Sequence, residues 1–190
     1  MTQVGITLGY LPDKIQETFG DGSAFNMQIN YFLESEPLGT AGGVKNAENF
    51  LDEDFVVISG DAFTDIDLGA LIDFHYLHNG VVTIAATEVD NPSNFGVMIM
   101  DDSGLVTDFV EKPSQPVSNL VNMGIYVMDK TILRDIPKGF QDFAKNIFPN
   151  MLGSIYAMKT KCYWSDIGTL TSYYATNYFV ASNIKQYETV

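Results

Sequence analysis

The stretch Phe55-Val56-Val57-Ile58-Ser59-Gly60-Asp61 decides how the rest of the chain is read. Its unbroken apolar run lies between the acidic turn Asp52-Glu53-Asp54 and Gly60. That is the signature of a strand buried on both faces of a parallel sheet. Gly60 and Asp61 follow directly past its carboxyl end, where open α/β sheets bind their ligands. A carboxylate in that place can hold a hard divalent cation against phosphate oxygens, although a solvated acid in a turn is an equal reading of Asp61 alone. Asp65 and Asp67 follow closely, and Asp67 reads as the cap of a helix over Leu68 to His78.

The flanking sequence keeps the same rhythm. Upstream, Val4 to Leu8 reads as a strand, Leu11 to Phe19 as a helix stopped by Gly20, and Asn26 to Leu33 as a strand. A loop over Glu34 to Gly43 then leads into a helix over Val44 to Phe50. Downstream, Val81 to Glu88 reads as a strand, and Gly96 to Met100 with Val106 to Glu111 as a hairpin across Asp101 to Gly104. Asn122 to Met128 is another apolar strand, Asp142 to Met151 a helix, Ile155 to Lys159 a strand and Thr171 to Ser182 a closing helix. Strands alternating with helices imply one α/β domain over 1–190, a Rossmann-like, mostly parallel sheet with helices on both faces.

Composition narrows the function. The 190 residues carry 24 acidic against 10 basic side chains, a net charge of −14, and Arg134 is the only arginine. Such a surface repels a nucleic-acid backbone, and an anionic nucleotide approaches it only with a cation between carboxylate and phosphate. Cys162 is the only cysteine and His75 and His78 the only histidines, which excludes a disulfide framework and a Cys/His zinc site. A reducing cytoplasm fits best. No apolar run approaches the ~18 residues of a membrane span, so no membrane partner is expected.

Three further groups of residues stand out. Leu38-Gly39-Thr40-Ala41-Gly42-Gly43 lies between a strand and a helix, where glycines admit a ligand close to the backbone; a tight turn is the more economical reading of that pattern by itself. Glu111-Lys112-Pro113 offers a carboxylate for hydroxyls and a point charge for phosphate, or merely a solvated ion pair at a hairpin edge. Trp164-Ser165-Asp166-Ile167-Gly168-Thr169 is by itself a turn before a helix. Paired with Asp61, Asp166 completes a two-carboxylate magnesium site, since Mg²⁺ takes one or two protein carboxylates and leaves its other positions to water and phosphate.

Taken in order, Glu36-Pro37-Leu38-Gly39-Thr40-Ala41-Gly42, Ile58-Ser59-Gly60-Asp61, Asn94-Phe95-Gly96-Val97, Phe109-Val110-Glu111-Lys112-Pro113, Asn122-Met123-Gly124-Ile125-Tyr126 and Trp164 to Thr169 resemble the sugar-1-phosphate nucleotidyltransferase family, mannose-1-phosphate guanylyltransferases and glucose-1-phosphate thymidylyltransferases in particular. The resemblance runs from about Ile6 to Tyr174. It implies that Leu38, Gly39, Thr40, Ala41, Gly42 and Gly60 contact the nucleotide and that Asp61 and Asp166 hold Mg²⁺, with Asp61, Lys112 and Asp166 as the catalytic set. It implies further that Gly96, Glu111, Lys112, Asn122 and Gly124 surround the sugar phosphate. The substrates would be a nucleoside triphosphate and a sugar 1-phosphate, the products a nucleotide sugar and pyrophosphate. A non-catalytic relative that binds a sugar nucleotide is the alternative.

The resemblance also implies a first, central strand and a loop of the form G-x-G-x-R-x-x-P-x-T, followed by K-P, and no stretch of this sequence matches them. The chain is therefore expected to be truncated at its N-terminus relative to the family and inactive by itself. The stretch from Phe148-Pro149 to Ser154-Ile155-Tyr156 is also several residues shorter than the family's. Without a central strand the edges at Val4 and Phe55 would lie open, so the chain is expected to pair them with each other, to associate as a homo-oligomer, or to fold poorly.

Overall fold

The computed structural model describes residues 2–187. Its first part is a β–α–β unit of β1 (Gln3–Leu8), α1 (Pro12–Phe19) and β2 (Gln28–Leu33), in which β1 and β2 pair in parallel, Gln3 opposite Gln28 through Leu8 opposite Leu33. Proline in the first turn of α1 and the positive φ of Gly20 at its end set its bounds. Then come α2 (Gly39–Asn46), β3 (Phe55–Ile58), β4 (Ala62–Thr64) and α3 (Leu68–His78), the last capped by Asp67, whose carboxylate accepts from the Ala70 N–H at 3.0 Å.

The larger, six-stranded sheet contains β3, β5 (Val82–Glu88), β6 (Gly96–Met100), β7 (Val106–Glu111), β8 (Leu120–Met128) and β9 (Ile155–Lys159). β8 is its spine. On one side β8 pairs with β5; on the other its C-terminal half pairs with β3 and its N-terminal half touches β6 at Val121 opposite Val97. β3, β5, β6 and β9 run in one direction while β7 and β8 oppose them, so the common direction expected of an α/β sheet is kept although β5–β9 is its only parallel pair among the described residues. The expectation that β3 has parallel neighbours is corrected here: its one partner, β8, is antiparallel. The tip of the β6–β7 hairpin curls back to β9, where the Ala157 N–H donates to the Gly104 carbonyl at 2.8 Å.

Two cores flank this sheet, as an α/β layering requires. One face packs Ile84, Met98, Phe109, Tyr126, Phe143 and Phe148 with Ala41 of α2, and the other packs Ala85, Met123, Ile125 and Val127 with Leu71 of α3. β10 (Trp164–Asp166) pairs with β4, and α4 (Leu170–Ser182), capped by a reciprocal Thr169–Ser172 box, and α5 (Ile184–Tyr187) close the described chain.

Two sequence expectations are corrected. The helix placed at Val44 to Phe50 begins at Gly39 and ends at Asn46, because the glycines form its first turn rather than a loop before it. The helix placed over Asp142 to Met151 is a π-helical turn at Phe143–Ile147 followed by a 3-10 turn at Phe148–Asn150, since Pro149 has no N–H to extend the ladder. The open edges are not joined. Among the described residues β1 pairs only with β2 and β3 only with β8, in separate sheets, so direct re-pairing is not what this fold does. Phe55, Val56 and Val57 remain half-buried, and Ile58 is exposed.

A buried histidine gives the fold a pH dependence. His75 of α3 is only 3 % exposed and its Nδ1 lies 2.9 Å from the Thr83 hydroxyl of β5. Burial lowers its pKa from 6.5, against the opposing pull of Asp54 and Asp129. The folded chain therefore binds fewer protons than the unfolded chain below pH 6.5, so this contribution is whole above that value and is lost as pH falls through it. The urea midpoint is expected to be flat above neutrality and to drop as pH falls below 6.5, and His75→Gln to remove that slope.

Candidate active site

Asp61 lies three residues past the end of β3, where the chain turns through Ser59 and Gly60 into β4. The turn is closed by the Ala62 N–H donating to the Ser59 carbonyl at 3.0 Å. β4 then pairs with β10 so that Ala62 stands opposite Asp166, and the Ile167 N–H donates to the Asp61 carbonyl at 2.8 Å. This short ladder brings together two carboxylates that are more than a hundred residues apart in sequence. Gly168 marks where they meet: a Cβ there would stand 2.9 Å from Asp166 Oδ1 and 3.4 Å from Asp61 Oδ2. The Gly168 N–H donates to Asp166 Oδ1 at 2.8 Å and orients it. Both side chains are exposed, and their oxygens suit a hard divalent cation. Among the described residues no three His, Cys, Asp or Glu gather at one point, so this is a two-carboxylate arrangement. Asp65 turns elsewhere and accepts from the Tyr163 N–H at 2.7 Å.

The Asn122–Gly124 motif is a β-bulge. Ile84 faces Tyr126 and Ala86 faces Asn122, so Ala85 alone opposes Met123, Gly124 and Ile125. Gly124 has φ +73°, and a Cβ on it would meet the Ser59 hydroxyl at 2.7 Å, which leaves only glycine for this position. Asn122 holds the bulge: its Oδ1 accepts from the Gly124 N–H at 2.8 Å and its Nδ2 donates to the Tyr126 hydroxyl at 2.9 Å. Burial raises the Tyr126 phenol far above its usual range, so it stays neutral. The bulge also turns the Met123 carbonyl to the Trp164 indole, which donates to it at 2.9 Å. Trp164 thus connects the strand of Asp166 with the strand of Asn122.

Trp164 also packs its ring edge-on against Phe95 at 5.3 Å, and the Phe95 carbonyl accepts from the Lys112 N–H at 3.0 Å. Glu111 lies opposite Gly96 in the β6–β7 pair, with its Oε2 3.0 Å from where a Gly96 Cβ would stand. Burial raises the pKa of Glu111; Lys112 opposes this, Asp142 adds to it and Lys145 opposes it. Lys112 Nζ lies 3.8 Å from Glu111 Oε1, with most of the lysine exposed and most of the glutamate covered. Lys112 holds φ +48°, a left-handed backbone that costs a residue with a Cβ about 1–2 kcal/mol.

The Gly39–Gly42 turn is joined to this wall from its far side. Ala41 and Gly42 are buried and both of their N–H groups donate to the Gln141 carbonyl, at 2.9 and 3.0 Å. A Cβ on Gly42 would collide with the Gly139 carbonyl. The glycines therefore admit the chain's own 139–141 segment, and Leu38, Gly39 and Thr40 are the members that retain accessible surface. Thr40 Oγ1 donates to Asp142 Oδ2 at 3.3 Å and accepts from the Phe143 N–H at 2.9 Å. Asp142, Tyr126, Ser59 and Gly168 join the site without having been singled out in the sequence. Tyr126, Ser59 and Gly168 carried a signal there as members of the Asn122, Asp61 and Asp166 motifs, whereas Asp142 stood only at the start of a helix.

The chain is 36 % identical over 166 residues to a mannose-1-phosphate guanylyltransferase of Mycobacterium tuberculosis, covering 84 % of this chain and 46 % of that protein. It is 32 % identical over 192 residues to a UTP–glucose-1-phosphate uridylyltransferase of Synechocystis, covering 90 % of this chain and 50 % of the relative. The chain thus spans about half the length of the curated relatives it matches. Its fold matches the crystal structure of HddC from Yersinia pseudotuberculosis with a TM-score of 0.80 and 30 % identity over 92 % of this chain and 77 % of that one. HddC has also been solved in complex with GMP-PN. The model of the nucleotidyl transferase family matches residues 1–183, and the chain belongs to that family.

Proposed function

We propose that the chain carries the metal and sugar-phosphate sites of an enzyme that makes a nucleotide sugar and pyrophosphate from a nucleoside triphosphate and a sugar 1-phosphate, with GTP and mannose 1-phosphate the first pair to test. The convergence of Asp61 and Asp166 at Gly168 carries this reading. A relative that only bound sugar nucleotides would have little use for two exposed carboxylates aimed at one point, which favours catalysis over the binding role. The guanylyltransferase names among the relatives favour the guanine nucleotide.

In this reading an oxygen of the sugar phosphate bonds to the α-phosphorus while the bond from that phosphorus to the oxygen bridging to the β-phosphate breaks. That electron pair leaves with pyrophosphate. Asp61 and Asp166 would hold a magnesium ion, which would supply charge neutralisation to the phosphate oxygens. Lys112, beside Glu111, would set a positive charge against the sugar phosphate. Glu111, Gly96, Asn122 and Gly124 border the sugar pocket: the carboxylate accepts hydroxyls, and the glycines let Phe109 and Ser59 pack close against the strands that carry it. Leu38, Gly39 and Thr40, with Gly60, border the nucleotide. The chemistry is positioning and electrostatics, which needs no protein nucleophile. The single, half-buried Cys162 accords with work in a reducing cytoplasm.

Trp164 reports on both walls of the site and is the chain's only tryptophan. Magnesium with GDP-mannose is expected to change its emission saturably. Absence of any response to GDP-mannose, UDP-glucose and dTDP-glucose alike would overturn the assignment. In a pyrophosphate-release assay the chain alone is expected to be silent, and a version extended upstream with a G-x-G-x-R…K-P segment to be active. Turnover by the unextended chain would refute the need for that segment.

A further inference from the structure

The ladder that joins Asp61 to Asp166 is too short to hold its own register. β4 and β10 have three residues each and form a two-stranded sheet by themselves. Such a pair is marginal in water, and without further strands its register is weakly specified. A slip of one residue would set Ser165 or Ile167 opposite Ala62 in place of Asp166, and neither side chain is a carboxylate. Something outside the ladder has to fix the pairing.

Trp164 fixes one face of β10, through the Met123 carbonyl and the Phe95 ring. Tyr163, just before β10, and Ser165 within it are two residues apart and share the other face, which lies against α4. There Thr176 of α4, only 4 % exposed, sets one hydroxyl between them: it accepts from the Tyr163 hydroxyl at 3.2 Å and donates to the Ser165 hydroxyl at 2.9 Å. A hydroxyl can do both at once. The Tyr163 ring also stacks on Phe179 of the same helix at 3.8 Å, and the Tyr163 carbonyl accepts from Thr64 Oγ1 at 2.8 Å, so helix, strand and ladder partner are tied at one place. A slip of one residue would put Trp164 or Asp166 in the half-buried place of Ser165, the first too large for it and the second charged.

We propose that Thr176 is a positioning residue: through Tyr163 and Ser165 it holds β10 in the register that brings Asp166 to Asp61 at Gly168. This role rests on the reading of the carboxylate pair as a metal site. It gives α4 a share in metal binding although the helix contributes no ligand.

Mn²⁺ binding to the full chain, followed by the electron paramagnetic resonance of the free ion and corrected for the binding left in Asp166→Asn, reads the pair without any need of turnover. Thr176→Val keeps the shape but can neither donate nor accept, and is expected to weaken that binding roughly 10-fold. Ser165→Ala, which removes the same bond from the strand side, is expected to act in the same direction, and Thr176→Ser, which keeps the hydroxyl, to stay within about twofold of the parent. The Trp164 emission of metal-free Thr176→Val is expected to shift, because a slipped β10 takes the indole from Met123 and Phe95. A merely structural hydroxyl would lower the urea midpoint of Thr176→Val and leave the Mn²⁺ affinity of the folded chain as it was. That result overturns the proposal, as does equal weakening in Thr176→Ser. A parent chain without Asp166-dependent Mn²⁺ binding would instead refute the metal reading; a shifted Trp164 emission in Thr176→Val then still sustains the register role, and an unshifted one overturns it.

Discussion

In any form of the enzyme that turns over substrate, Asp61→Asn or Asp166→Asn is expected to lower the rate of pyrophosphate release by roughly 10³-fold while the melting temperature stays nearly unchanged. Both halves of this result follow from the geometry. The carboxylates are exposed, so neither holds up a core. Asp166 loses little locally, because the amide oxygen of asparagine still accepts the Gly168 N–H that orients it. What disappears is the charge with which the pair at Gly168 would hold a cation, a contribution worth several kcal/mol to reacting phosphates. The double variant should be no worse than the worse single one, since removing either member disables the pair. Rates within tenfold of the parent would take the residue out of the metal site.

Gly42→Ala is expected to have the opposite profile, a loss of stability of about 3 kcal/mol with no chemical group removed. The added methyl would enter the space of the Gly139 carbonyl, and both partners are backbone, so neither can rotate away. Retreat of either segment breaks the hydrogen bonds from the Ala41 and Gly42 N–H groups to Gln141. It also separates Thr40 from Asp142, uncoupling the Leu38–Thr40 edge from the wall that carries Glu111. A urea melt checks the stability, and the Trp164 response to nucleotide sugar checks the uncoupling. A variant as stable as the parent would show that the 139–141 segment yields cheaply.

Glycine at this position also shows why part of the fold was hidden in the sequence. Strands such as Phe55–Ile58 and the α3 helix at Leu68–His78 were legible because apolar runs and a capping aspartate declare themselves locally. The first turn of α2 did not, because Gly-Thr-Ala-Gly-Gly is a poor helix former by propensity and becomes helical through contact with a segment a hundred residues away. β4 and β10 are three residues each, too short for any periodicity, yet they align Asp61 with Asp166. The pairing of those two carboxylates was legible only through the order of the motifs. The bulge at Gly124 was marked by its residues, but their purpose, to turn one carbonyl to Trp164 and make room for Ser59, depends on neighbours from β10 and from the turn after β3.

The central place of β8 also bears on the order in which the molecule is made. β3, β5 and β6 each pair with β8, and none of the three pairs with another. A growing chain that has not reached Leu120 therefore holds only the β1–β2 pair and the β6–β7 hairpin, with the hydrophobic strands β3 and β5 waiting unpartnered. During synthesis those strands are the segments most in need of shielding by a chaperone; the arrival of residues 120–128 gives both their first partner, and β5 becomes interior only when β9 follows, while β3 keeps one open edge.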